Sequence, residues 1–276
     1  MTTSRTVTLT AIAAGLYVFL CWAFADGLFT GNWWNTDDIA GSAVFTYVLL
    51  GLIIGAGFVQ VRRLPASWSP PRSRTDSTPA GQVDDPVFWK LLLGNVYLSI
   101  LWLPLRFFVG REWLTAGEHK LRDSAWMDGG TALVAPGEAM GFWERIVVIP
   151  EQGRPAITYG WYRDFLQYLI DQEWQSGFAK MIAIGEFLVG VGLVVGALVG
   201  IAAFFGTLLN FNFLLAGTAS TNPLLFGLGV FLVLGWKVAG HWGLDRWILP
   251  ALGTPWKPLP RFMSEPSRGG SREAVG

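Results

Sequence analysis

The sequence predicts an all-α, polytopic membrane helix bundle, and three observations predict it. First, 52% of the 276 residues are hydrophobic and only 14% are charged, which excludes an ordinary soluble domain. Second, the apolar residues gather in runs long enough to cross a bilayer, which takes about 20 residues per helix. Third, the 15 tryptophans exceed ordinary usage, and their amphipathic rings favour the two membrane–water interfaces.

Two predicted spans form an N-terminal membrane hairpin within residues 1–61. They run from about Val7 to Phe24 and from about Ala43 to Val61. A secretory signal peptide is the alternative interpretation of the first run, because Arg5 precedes an apolar core, but the run is long for such a signal. The segment 62–85 is rich in Pro, Ser and Arg and is predicted to be a flexible cytoplasmic linker.

Four further spans are predicted within residues 86–250, at Val87–Val109, in the two halves of Phe178–Ala216, and at Leu224–Ala239. The middle run exceeds one crossing at about 1.5 Å per residue, so a turn near Gly196–Gly200 should divide it. The third helix could continue to Lys120, because no proline intervenes. A basic tail, 251–276, follows the last span, and we expect it to be disordered in the cytoplasm.

Charges in the short loops predict the orientation of the chain. The loop after the first span has Asp26, Asp37 and Asp38 and no basic residue, whereas arginines follow the second span. Because Lys and Arg mark cytoplasmic loops, both termini should lie in the cytoplasm of a cell that carries this protein in its plasma membrane. The segment 121–175 then falls outside.

This outer segment is predicted to contain an interfacial helix between Trp161 and Trp174. Phe165, Tyr168, Leu169 and Trp174 recur at helical spacing and could line one face of it. Such a helix would cap the bundle at the membrane surface. It is either a plain anchor or a lid over a substrate pocket.

Arg106 is placed among Leu, Phe and Val in the predicted outer part of the third span, where an unpaired charge is unfavourable. It shares a helix stripe with Gly110, Trp113 and Gly117, and the glycines allow another backbone to approach. Glu186 in the fourth span has a compatible depth. The sequence therefore predicts a buried Arg106–Glu186 pair, which either fixes helix register or forms a catalytic centre.

Polar residues gather at the predicted outer ends of the fifth and sixth spans: Asn210, Asn212, Thr218, Ser220, Thr221 and Asn222. They could satisfy helix ends, with Thr221 or Asn222 as an N-cap before Pro223. Alternatively, their amides and hydroxyls hydrogen-bond a ligand. Arg111, His119 and Lys120 are predicted near the same surface. They are either solvated charges or groups that attract an anion.

The chain carries no recognisable motif for a haem, flavin or metal site. Cys21 is its single cysteine, and His119 and His241 should lie at opposite membrane faces. An oxidoreductase of this composition would pass electrons directly to a diffusible carrier or receive them from a partner. The zero net charge gives no sign of nucleic-acid binding.

Four stretches together resemble the DoxX/DoxD membrane family: "RFFVGREWLTAGEHKLRD", "GRPAITYGWYRDFLQYLI", "GEFLVGVGLVVG" and "GTASTNPLLF". The resemblance covers about Pro86 to Pro250 and implies a four-helix membrane core that matches spans three to six. The family includes the large subunit of thiosulfate:quinone oxidoreductase. Such members couple two thiosulfates to tetrathionate, pass the electrons to a quinone and act with a small DoxA-type subunit.

The family motifs fall on particular residues of this chain: Arg106 and Gly110, Gly185 and Glu186, and the polar run Ser220, Asn222 and Pro223. The two N-terminal spans and the linker depart from the family core, and no partner subunit is fused.

Three functions are compatible with these observations. The first is a quinone-linked oxidoreductase subunit for thiosulfate or a related sulfur compound, surrounded by membrane lipid. In it, Arg106 would polarise a quinone carbonyl and Glu186 would move protons. Its candidate substrate- or quinone-binding residues are Trp113, His119, Asn210, Asn212, Ser220 and Asn222. The second is a non-catalytic membrane scaffold of a larger redox complex. The third, a small-solute transporter, is disfavoured because no clear inverted repeat is present.

Overall fold

The computed structural model describes residues 3–25, 33–63, 85–127 and 142–254. These residues form α-helices joined by turns, with no strand among them. In chain order the α-helices are α1 (Thr3–Phe24), α2 (Ala43–Arg63), α3 (Val87–Gly94), α4 (Leu103–Arg122), α5 (Ser124–Met127), α6 (Phe142–Val147), α7 (Gly160–Asp171), α8 (Gln175–Val195), α9 (Val199–Leu215), α10 (Asn222–Leu234), α11 (Trp236–Ala239) and α12 (Asp245–Ala251). Most of the predicted linker and of the basic tail lies outside the described residues.

Three of the described helices, α1, α2 and α8, are long and apolar enough to cross a membrane. A fourth span results if α3 and the helical stretch Val96–Arg122 count as one, although a 77° bend separates them. Helices α9 and α10 are apolar but have only 17 and 13 residues, short of the usual 20 or so. The structure thus confirms an all-α chain with three or four helices able to span a membrane, fewer than the six predicted.

The third predicted span is not a single straight helix. The side chain of Asn95 accepts a hydrogen bond from the Tyr97 backbone N–H at 2.9 Å, and a 3₁₀ helix then runs over Val96–Trp102. Helix α4 begins only at Leu103, with Pro104 in its first turn, where a missing N–H costs nothing. The helix then continues to Arg122, as the absence of an internal proline allows.

Helices α4 and α8 form the closest helix pair, because glycines face the partner backbone. A Cβ atom at Gly117 would lie 2.6 Å from the Phe187 backbone nitrogen, and one at Gly190 would lie 2.6 Å from that of Leu114. No side chain fits at such distances. The glycines therefore fix an antiparallel register, in which residues early in α4 face residues late in α8.

The turn between α8 and α9 occurs where the sequence predicts it. Gly196 ends α8 with φ of 70°, and Leu198 precedes α9 with φ of 48°. Both residues adopt the left-handed conformation, which glycine reaches without steric cost. We call this end of the bundle the hairpin end.

The opposite end, which we call the cap end, is covered by α6 and α7. Their inner faces form a second apolar cluster in which Trp143, Tyr162 and Leu166 are buried. The predicted interfacial helix is thus present as α7. Of the four residues predicted to line one face, Leu169 is buried and packs inward with Tyr162 and Leu166, whereas Phe165, Tyr168 and Trp174 are exposed.

The N-terminal hairpin packs beside α4. Thr10 of α1 lies against Gly57 of α2, and the Gln60 side chain donates to the Tyr97 carbonyl at 2.7 Å. The start of α1 and the end of α2 therefore lie at the hairpin end, as do residues 239–245, which follow the last long helix. Both ends of the described chain are on one side of the bundle.

Candidate functional site

Arg106 is buried at the hairpin end, with only 1% of its surface exposed. Its guanidinium donates hydrogen bonds to the backbone carbonyls of Ala239 at 3.1 Å and Trp242 at 2.9 Å. Ala239 is the last residue of α11, and carbonyls at the end of a helix lack a backbone donor from the next turn. Arg106 therefore supplies the hydrogen bond that the helix cannot.

Asp245 is the charged partner near Arg106. Its carboxylate accepts hydrogen bonds from the backbone N–H groups of Leu198 at 2.5 Å and Val199 at 2.9 Å, at the start of α9. Burial raises the pKa of Asp245, while these two donors and the charge of Arg106 oppose that rise. The Arg106–Asp245 cluster therefore holds the turn between α8 and α9 to the chain that follows α10.

The predicted Arg106–Glu186 pair is wrong. In the antiparallel register of α4 and α8, Gly117 faces Phe187, so Glu186 lies level with the last turns of α4. Arg106 lies in the first turn, about 18 Å away along the helix axis. The prediction failed because it began the helix at Val87, which shifted Arg106 toward the wrong end of the span.

Glu186 is fully buried, as predicted, and its partner is Lys120 of α4. The Lys120 ammonium donates to Oε1 of Glu186 and also lies 4.9 Å from the ring centre of Trp126 and 4.7 Å from that of Phe213. Glu186 Oε2 has no hydrogen-bond partner among the described residues. The carboxylate of Glu186 is therefore buried against Lys120 and keeps one acceptor, Oε2, that no described residue uses.

A cavity of about 300 Å³, which we call the polar cavity, lies beside this pair at the cap end. Helices α4, α8, α9 and α10 contribute to its wall. Its polar lining consists of Glu112, Thr115, Lys120, Glu186, Thr218, Thr221 and Asn222. The Thr115 hydroxyl, like Glu186 Oε2, is buried without a partner among the described residues. The cavity therefore offers donors and acceptors to a small polar group.

A second cavity of about 600 Å³, which we call the apolar groove, runs between α8 and α9. It extends from Trp143 and Tyr162 at the cap end to Ala197 and Leu198 at the hairpin turn, and nearly all of its lining is apolar. Three aromatic residues line both spaces: Trp126, Phe142 and Phe213. The two cavities are therefore neighbours that share these three aromatic side chains.

Some predicted binding residues meet at these cavities. Trp113 and Asn222 line the polar cavity, and Asn212 lines the apolar groove. The Tyr162 hydroxyl donates toward the backbone and side-chain oxygens of Asn212, at 3.2 and 3.3 Å. Trp113 fits because Gly206 of α9 faces its indole nitrogen, where a Cβ would be only 2.9 Å away.

Other predicted binding residues lie elsewhere. His119 faces the N-terminal hairpin, with Nε2 3.4 Å from Asp38 Oδ2 and its side chain 56% exposed. Ser220 is exposed in the turn before α10, with φ of 36°. Asn210 is fully buried and lacks a side-chain partner among the described residues, but it lines neither cavity.

Sequence reasoning did not include Glu112 or Thr115 among the candidate binding residues and left Arg111 as either a solvated or an anion-attracting charge, although only 3% of Arg111 is exposed. A usable signal was present, because Glu112 and Thr115 are three residues apart on one helix once α4 extends to Arg122, and Lys120 follows about two turns after Glu112. By contrast, nothing in the sequence marks Asp245, which follows the last span like any polar flanking residue.

No family model, curated protein or solved structure matches this chain.

Proposed function

We propose that this protein is a DoxX/DoxD-like membrane subunit of a quinone-linked oxidoreductase, in which the polar cavity holds the quinone head and the apolar groove holds its tail. The observation that carries the proposal is that Trp126, Phe142 and Phe213 line both cavities, which places the two spaces next to each other. A membrane quinone has a small polar ring and a long apolar tail. Its shape therefore matches a polar space of about 300 Å³ beside an apolar one of about 600 Å³.

The Lys120–Glu186 pair is suited to the chemistry of a quinone ring. Reduction to the quinol adds two electrons and two protons, and negative charge develops on the ring oxygens. Lys120 can donate to such an oxygen, and Glu186 can transfer a proton through Oε2, which has no hydrogen-bond partner among the described residues. The carbonyl-polarising role expected of Arg106 passes to Lys120, because Arg106 is engaged by backbone carbonyls at the other end of α4.

Thiosulfate or a related sulfur compound is the proposed electron donor. Oxidation of two thiosulfates to one tetrathionate releases the two electrons that one quinone takes up. The resemblance to the DoxX/DoxD family motivates this choice, and it also implies a small DoxA-like partner subunit. Helices α4, α8, α9 and α10, which contribute to the wall of the polar cavity, belong to the part of the chain that carries the resemblance.

A plasma-membrane location with both termini in the cytoplasm belongs to the same proposal. It is supported by the position of the start of α1 and of residues 239–245 on one side of the bundle. The six predicted spans require α9 and α10 to cross as short helices, which a locally thinned bilayer accommodates.

The decisive experiment uses the full chain in lipid nanodiscs with short-tailed ubiquinone and menaquinone analogues. Binding is measured first, and reduction by thiosulfate is then followed optically, with and without a candidate small subunit. We expect saturable binding and thiosulfate-dependent reduction. Binding without reduction under any of these conditions would favour the non-catalytic scaffold, and absence of binding would refute the proposed site.

A further inference from the structure

Arg111 joins the N-terminal hairpin to the polar cavity. Its guanidinium makes three hydrogen bonds: Nε to the Thr46 hydroxyl at 2.9 Å, Nη2 to the Gly41 carbonyl at 2.8 Å, and Nη1 to Glu112 Oε1 at 2.6 Å. Thr46 lies on α2, and Gly41 lies just before it. The third acceptor, Glu112, lines the polar cavity. One side chain therefore bonds both to the hairpin and to the cavity wall.

The part of this connection that lies on α2 is rigid. Thr46 is fully buried, and its hydroxyl donates to the Ser42 carbonyl at 3.2 Å, which leaves an oxygen lone pair for Arg111. The guanidinium is planar, with its donors in a fixed fork. Since Thr46 holds Nε and Gly41 holds Nη2, the direction of Nη1 is set as well. The position of the Glu112 carboxylate therefore depends on residues of α2.

Glu112 faces the same cavity as the Lys120–Glu186 pair. Its side chain lines the cavity and is 16% exposed, so a ligand in the cavity can contact it. We propose that Glu112 is a second carboxylate contacting the polar head of the ligand, and that Arg111, held by Thr46 and Gly41, positions it. This inference rests on the proposed function of the cavity. It makes the N-terminal hairpin, which lies outside the DoxX-like core, part of the binding site.

Arg122 provides a matched control within the same interface. It also links the segment before α2 to α4, through the Thr36 carbonyl at 2.5 Å and the Glu118 carboxylate at 2.7 Å. Its side chain is 44% exposed, and neither partner lines the polar cavity. If the substitutions only loosened the packing of the N-terminal hairpin, both arginine variants should weaken ligand binding. If Arg111 positions Glu112, only the Arg111 variant should do so.

The test measures the Kd of decyl-ubiquinone for the full chain in nanodiscs, with melting curves for each variant. We expect Glu112→Gln to raise Kd about tenfold, the effect of weakening one hydrogen bond to a charged group. Arg111→Lys and Thr46→Val should each raise Kd about threefold, and Arg122→Lys should leave it unchanged. The Arg111→Lys, Glu112→Gln double variant should bind no more weakly than Glu112→Gln alone, because Arg111 acts through Glu112.

The outcomes separate this inference from the proposal on which it rests. If the unaltered protein does not bind the probe, both are refuted. If it binds and Glu112→Gln leaves Kd unchanged, only the role of Glu112 is refuted. If the effects of Arg111→Lys and Glu112→Gln multiply in the double variant, or Arg122→Lys weakens binding as much as Arg111→Lys, Arg111 has a structural role only.

Discussion

The two ends of the bundle bury charges in different ways. At the hairpin end, Arg106 and Asp245 bond to backbone carbonyls and amides, and a Cβ at Gly196 would lie only 2.5 Å from Arg106 Nη1. Arg106 Nε has no partner among the described residues, but neither side chain lines the polar cavity or the apolar groove. At the cap end, Lys120 and Glu186 pair at the wall of a cavity and leave an acceptor unused. The difference teaches that a buried charge indicates a ligand site only where space and an unpaired polar atom accompany it.

The largest expected effect is on stability, from Arg106→Ala. The substitution leaves the carbonyls of Ala239 and Trp242 without their donor and Asp245 without its positive neighbour. We expect a loss of about 3–5 kcal/mol in the free energy of unfolding, measured by denaturant titration in detergent. Arg122→Ala is the control, with a loss below about 1 kcal/mol, since its side chain is 44% exposed. Similar losses would contradict a structural role specific to the hairpin end.

The next effect is on turnover, from Glu186→Gln. The amide keeps the size of the side chain but cannot exchange a proton, so quinone reduction should fall about 100-fold in the nanodisc assay. Asp171→Asn at the end of α7 serves as the control, because its carboxylate pairs with Gln167 away from both cavities. Unchanged turnover in Glu186→Gln would remove this residue from the mechanism.

A smaller loss of stability is expected from Gly117→Ala, which tests the register that connects the two ends. The new methyl group would lie 2.6 Å from the Phe187 backbone nitrogen, so the helices must separate at a cost of about 1–3 kcal/mol. Gly227→Ala in α10 has open space and should be neutral or slightly stabilising. A melting assay distinguishes the two, and equal midpoints would contradict the close α4–α8 contact.

The smallest expected effect is from Phe213→Leu, in the wall between the two cavities. It removes a ring that lies 4.7 Å from the Lys120 ammonium, and the Kd of a quinone analogue should rise about threefold. Phe211→Leu is the matched control on the same helix, since Phe211 is 46% exposed and lines neither cavity. Equal Kd values for the two variants would show that the ring is not needed for binding.

Long-range contacts decided which predictions succeeded. Apolar runs are local, and they correctly indicated an all-α chain, the turn at Gly196 and the burial of Arg106 and Glu186. The partner of each charge was not local. It depended on where α4 begins, which Asn95 and its 3₁₀ helix determine, because a shift of one turn moves a residue about 5 Å along the axis.

The burial of Arg111 shows the same limit of prediction from sequence. In sequence it stands beside Glu112 and near further charges, a pattern typical of a solvated face. It is buried because residues from Gly41 to Thr46, remote in sequence, pack over it. Nothing in the sequence indicates that contact, so the burial of Arg111 and its bonds to Gly41 and Thr46 were not predicted.

The apolar groove has one further consequence for experiments. Part of its rim consists of side chains on the outer surface of the bundle, among them Met181, Leu188 and Phe205, each more than half exposed. In a bilayer such a rim faces acyl chains, so a tailed molecule would enter sideways from the lipid phase. Its occupancy would then follow its mole fraction in the membrane, and adding empty lipid to proteoliposomes would lower saturation without any change in the total amount of ligand.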